Sequence, residues 1–214
     1  MTSLPLLDLL QIADRSFPTG GFVHSHGLEW LVKNTPIGVE QAVIMRLRQQ
    51  LARFELVFLA HTYLTDWRLL DERFHAMVLP REAREASIQV GRQLLRAVAD
   101  MYDSMDLHDA VQHLPYAHHP VAFGIVGQTI GLDAETTATA YAYQTVRAQV
   151  SAAQRLTRLG QTEAQRIVHR LKPEVRSAGS TALRLSLDEA GAFVPVLDVA
   201  SMAHERAEVR LFVS

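Results

Sequence analysis

The stretch Val39-Glu-Gln-Ala-Val-Ile-Met-Arg-Leu-Arg-Gln-Gln-Leu-Ala-Arg-Phe-Glu-Leu-Val-Phe58 decides the fold class. Its apolar positions Val39, Val43, Leu47, Leu51, Phe54 and Phe58 recur every three or four residues, the spacing of one face of an α-helix. Arg46, Arg48, Arg53 and Glu55 lie off that stripe, so the spacing predicts an amphipathic helix of several turns. A second stripe passes through Ala86, Val90, Leu94, Val98, Met101 and Met105, with Pro80 marking its start. A third helix is predicted from Asp133, a good N-cap with Glu135 in the first turn, to about residue 159, with Gly160 as its stop. Its many alanines, among them Ala138, Ala142, Ala148, Ala152 and Ala153, allow close approach of neighbouring backbones. Gln161–Leu171 reads as a further helix that ends before Pro173. Strand signals are scarce: Phe193–Val199 is the best candidate, yet Pro195 sits inside it and Asp198 interrupts the apolar pattern. Ser177–Thr181 is the best candidate for a flexible joint. The expectation is one all-α domain over residues 1–214, a bundle of about 8–10 helices.

Composition agrees with that class. The chain has 214 residues, 48% hydrophobic and 21% charged, which fits a globule with a sizeable core. A net charge of −2 gives no general electrostatic reason to bind nucleic acid or an anionic membrane. Of 21 basic residues only Lys33 and Lys172 are lysine; the arginine excess suits interfaces, and codon bias explains it equally well. There is no Cys, which excludes disulfides, a thiolate nucleophile and Cys-ligated metal centres. The first residues lack a basic region and Asp8 and Asp14 interrupt their apolar run, so no secretory signal is read and cytoplasm is the default. The longest uncharged stretch, Ala110–Leu132, contains Pro115, Pro120 and several histidines and does not read as a membrane helix.

Missing motifs narrow the function. Neither lysine is preceded by Gly, so the chain has no phosphate-binding P-loop. It has no G-x-S-x-G elbow, and His204-Glu205 lacks the second His of a zinc-protease motif. Histidine is the remaining route to chemistry, grouped as His24/His26 and His108/His113/His118/His119. An i, i+2 pair shares one side of an extended segment, so His24 and His26 reach a common metal only if the chain is extended there. Capping and core packing are the competing roles. For His118-His119-Pro120 the plainer reading is a helix entry, with Pro120 in the first turn.

Ser16-Phe-Pro-Thr-Gly-Gly-Phe-Val-His-Ser-His-Gly-Leu-Glu29 follows the apolar Leu4–Ile12 run. On spacing alone it is a turn between helices. It also resembles the N-terminal signature of the urease accessory protein UreF family. Three further segments resemble that family in chain order: Arg81–Leu95; His119–Gly124 together with Gly160-Gln161-Thr162 and Gln165; and the terminus, Pro195–Arg206 followed by Arg210–Ser214.

The resemblance implies an all-helical, non-enzymatic protein that dimerises. Its implied partners are the urease accessory scaffold UreD (UreH in some bacteria), the GTPase UreG and the urease apoenzyme. No cofactor is expected to be tightly bound, and nickel is at most transient cargo. The partner-binding residues implied are Gly20, Gly21, Phe22, His24 and Ser25 in the loop, Arg155 and Gln161, and Arg210, Leu211 and Phe212 in the tail. In that picture Arg210 holds the tail against the Gly20–Phe22 loop. An apolar tail needs something to dock on, either the chain's own core or a partner. Phe22 stands where some relatives carry Tyr and His26 where Phe is common, so a metal role for His26 transfers poorly. Two other classes remain open: an activator of the GTPase supplying an Arg in trans, and a metal-dependent enzyme built on the histidines.

Overall fold

The computed structural model describes residues 4–14, 16–20, 27–192, 194–204 and 212. Among them there are 11 continuous helices and no strand. In chain order the α segments are α1 (Pro5–Ile12), α2 (Leu28–Asn34), α3 (Val39–Arg46), α4 (Leu56–His61), α5 (Trp67–Met77), α6 (Arg81–Ala99), α7 (Met105–His113), α8 (His119–Thr129), α9 (Ala134–Leu156), α10 (Gln161–Arg170), α11 (Lys172–Ala182) and α12 (Pro195–His204). A π-helical segment, Leu47–Glu55, joins α3 to α4 without a break. The all-α expectation holds, with slightly more helices than anticipated.

The middle of the molecule is α8. It is apolar on every side, with Pro120 through Gly127 buried, which is the pattern of a helix surrounded by others. Helices α4, α6 and α9 pack directly on it. No described helix is long and apolar enough to cross a membrane. The approach of α6 is unusually close: a Cβ added at Gly91 would lie 2.0 Å from the Ala117 carbonyl oxygen. Ahead of α8 the chain turns through Ala117, whose φ of 59° is left-handed. The buried Asp71 carboxylate of α5 accepts hydrogen bonds from the N–H groups of Tyr116, Ala117 and His118, each at 2.8 Å. It thus holds the strained turn from a different helix, and the N-cap His118 makes no side-chain capping bond of its own.

Several local expectations change. The described part of the expected strand Phe193–Val199, residues 194–199, forms no strand: Pro195 opens α12, the first-turn position where its missing N–H and fixed φ suit a helix. Ser177–Thr181 is no joint but lies within α11, where Gly179 lets the helix approach Thr139 of α9. Gly160 does not stop α9, which ends at Leu156; it is the N-cap of α10. The second stripe stops at Ala99, leaving Met101 and Met105 exposed. Asp133 does cap α9, accepting the Thr136 N–H at 2.7 Å.

The largest correction concerns Arg46 and Glu55, expected off the apolar face. Both are buried, at 2% and 7% exposure, and they pair at 3.3 Å across nine positions. Nine steps of about 100° would put them on opposite faces of an α-helix. Nine steps of roughly 82°, the turn of a π-helix, return to within about 20° of the start. The π winding is therefore what unites the pair, and an α-helical period cannot foretell it. The stripe itself remains buried from Val43 to Phe58.

His118 sits between Ser87 Oγ and His75 Nδ1, each 3.1 Å away, and is fully buried. Burial, reinforced by His75, Arg84 and Arg92, pushes its pKa down to about 3 from an ordinary 6.5. The unfolded chain therefore takes up this proton first. Stability should fall on acidification below the unfolded value of 6.5, by about 1.4 kcal/mol per pH unit for a single site. The lowered pKa of His75 acts in the same direction, while Asp71, raised by burial, opposes it nearer the carboxylate range. Denaturant titrations between about pH 7 and about pH 5 test this. The slope should flatten in His118→Gln, and an equal slope in that variant would reject the assignment.

Candidate functional site

A second apolar cluster lies apart from the main core, where α2, the C-terminal half of α9 and α12 meet. It contains Leu28, Leu31, Ala152, Ala153, Val194, Leu197 and Ala200, and the tail residue Phe212 is buried among them. Gly27 opens α2 with a left-handed φ of 80°, and a Cβ there would stand 3.2 Å from that of Ala200. The Phe212 N–H donates to Glu29 Oε2 at 3.2 Å, and Glu29 Oε1 accepts from Lys33 Nζ at 2.7 Å. Above the ring lies the Arg155 guanidinium, its Cζ 4.3 Å from the centroid, well inside cation–π range. Phe212 therefore docks on the chain's own core, one of the two alternatives left open by the sequence. Arg155 and Phe212, 57 positions apart in the chain (212 − 155), are brought into direct contact.

Arg155 also stands on the edge of a cavity of about 330 Å³ bounded by α6, α9 and α10, with the π segment contributing Gln50 and Glu55. Gln161 at the start of α10 is exposed and lines the same cavity. Gly20 has a left-handed φ of 72°, and a Cβ there would lie 2.9 Å from Gln93 Oε1, so the loop starts against α6. Gly21, Phe22, His24, Ser25, Arg210 and Leu211 lie outside the described residues, and with them the expected contact of Arg210 with the loop.

The sequence model of the UreF family matches residues 34–172. Among curated proteins, the urease accessory protein UreF of Geobacillus kaustophilus is 32% identical over the full length of both chains. That of Paenarthrobacter aurescens is likewise 32% identical, again covering both chains completely. UreF of Trichodesmium erythraeum is 31% identical over 96% of this chain and 95% of its own. The chain belongs to the UreF family. Arg155 and Gln161 fall within the segment that defines the family, whereas the Ser16–Glu29 loop and the tail lie beyond it and are covered by the full-length relatives.

Within this UreF-family fold the histidine group of the sequence does not converge. His118 is buried in its contacts with Ser87 and His75, His113 pairs with Asp109 at the surface, and His108 bonds the Ser104 carbonyl. Among the described residues no group of three or more His, Asp or Glu could hold a metal. Glu29 and Gly27 are the site residues whose roles the sequence did not single out. Both were part of the quoted loop, but nothing in their spacing shows that Glu29 would be buried to receive a backbone N–H from residue 212.

Proposed function

We propose that this chain is a urease accessory protein that works as an adaptor in nickel insertion. In this reading it forms a dimer, binds the UreD/UreH scaffold and recruits the GTPase UreG, so that nickel reaches the urease apoenzyme in the cytoplasm. It performs no turnover of its own, and nickel passes as cargo. The observation that carries the reading is the contact of Arg155 with Phe212. Two residues that the family resemblance marks as partner-facing are in contact, the Phe212 ring buried and its N–H held by the buried Glu29, with the exposed Arg155 over the ring. A docked tail presents its neighbours in a defined position, which lowers the ordering cost when a partner binds.

The test is co-elution of this chain with its cognate scaffold protein and GTPase, read by size-exclusion chromatography with light scattering. A ternary peak containing two copies of this chain is expected. Separate elution of the three proteins at micromolar concentration, with nucleotide and nickel present, would reject the adaptor reading. Arg155→Gln should leave the protein folded, since Arg155 is exposed and a cation–π contact contributes about 0.5–1 kcal/mol. It should nevertheless reduce retention of the GTPase. Full retention in a folded Arg155→Gln protein would remove Arg155 from the interface.

A further inference from the structure

The buried pair Arg46–Glu55 is poorly explained as a stabilising contact. Arg46 gives Glu55 one long hydrogen bond of 3.3 Å from Nη2, while Glu55 Oε2 accepts the Tyr141 hydroxyl at 2.9 Å. Among the described residues Arg46 Nε and Nη1 are buried without an acceptor, and nearby on the same cavity Gln144 Oε1 is buried without a donor. Burying a guanidinium costs several kcal/mol unless its donors are used, and two apolar residues of similar volume would avoid that cost. The pair also depends on nine residues of π-helix, a winding that is rare and concentrated at functional sites. Two separate departures from the stable solution thus converge on one place.

That place lines the cavity of about 330 Å³, a size suited to a small organic ligand. Its lining residues include Arg46, Arg147 and Arg155 together with Asp14 and Glu55. One of those carboxylates, Glu55, already accepts from Tyr141. Arg46 is buried, whereas Arg147 of α9 is exposed, its Cζ 5.9 Å from the Tyr143 ring centroid. Planar guanidinium donors match a carboxylate geometrically, and such charge-assisted bonds are the strong ones.

We propose that this cavity is a binding site for a small organic dicarboxylate or tricarboxylate. One carboxylate accepts from Arg46, whose long bond to Glu55 lets the guanidinium turn toward the cavity, and a second faces Arg147. The cavity shares Arg155 with the Phe212 contact, but the site rests on Arg46 and Arg147 and does not depend on the adaptor reading.

Isothermal titration of the full chain with malonate and with citrate, against sodium chloride at matched ionic strength, tests the proposal. Saturable one-site binding of at least one carboxylate is expected, with none for chloride. Binding should be lost in the double variant Arg46→Met/Glu55→Gln, which removes both charges together and leaves an amide oxygen for Tyr141. Where that variant does not fold, Arg147→Gln decides, because Arg147 is exposed and its replacement is expected to leave the fold intact. It should weaken binding about tenfold, the equivalent of one charge-assisted hydrogen bond. The proposal is overturned by the absence of saturable binding to either carboxylate, by undiminished affinity in a folded double variant, or by undiminished affinity in Arg147→Gln.

Discussion

Gly91→Ala is expected to destabilise the chain by about 3 kcal/mol or more, at the upper end of overpacking effects. The sign is the informative part, because Gly→Ala in an ordinary helix interior stabilises by about 1 kcal/mol. Here the added methyl would meet the Ala117 carbonyl oxygen at 2.0 Å, the His119 nitrogen at 2.8 Å and the His118 carbonyl carbon at 2.9 Å. All three are backbone atoms of the turn into α8, and none can swing aside as a side chain can. Relief requires α6 and α8 to separate, which loosens the most extensive helix contact among the described residues. Urea unfolding of the two proteins measures the effect, and a Gly91→Ala protein as stable as the parent would show that the crossing is not as tight as described. Because Ala83, Ala86, Ser87 and Val90 of α6 line the cavity, a displaced α6 should also weaken carboxylate binding there.

Asp71→Ala should cost a comparable amount, about 4 kcal/mol, by a different mechanism. The substitution leaves three backbone N–H groups of the 116–118 turn without their acceptor, those of Ala117 and His118 buried and that of Tyr116 partly so. Each such group forfeits about 1–3 kcal/mol when buried unpaired, and water reaching the Tyr116 end keeps the sum below the full total. Ala117 would also lose the partner that holds it at φ 59°. Hydrogen exchange offers a local readout: the amides of residues 116–118 should lose protection before those of α9 do. Retained protection at those amides with unchanged stability would contradict the capping role. Gly91 and Asp71 act on the same turn from opposite sides, so the double variant should be less destabilised than the sum of the two.

Much of the helical layout was legible because it depends on local chemistry. Asp133 as a cap, Pro120 in a first turn, the helix from Gln161 ending before Pro173, and the buried stripe from Val43 to Phe58 follow from hydrogen-bonding capacity, ring geometry and apolar spacing. Where reading failed, a distant partner intervened. Ser-Ala-Gly-Ser-Thr at 177–181 has the composition of a joint, but its small side chains are what let α11 approach α9. Pro195 counted against a strand and was in truth the start of a helix. Arg46 and Glu55 looked solvent-facing under an α-helical period, and only π winding turned them inward.

The candidate site divides along the same line. Arg155, Gln161 and Phe212 could be named from the chain through family resemblance, because a resemblance compares residue types position by position. That Arg155 lies 4.3 Å over the Phe212 ring, with the Phe212 N–H on Glu29, could not be read in this way. The sequence by itself determined the all-α class and the family, since both rest on residue order and short-range spacing. Only the tertiary structure decided where the tail docks, which charged residues are buried and which arginines share a cavity. Those are relations between residues far apart in the chain, set by how helices pack, and local periodicity carries no record of them.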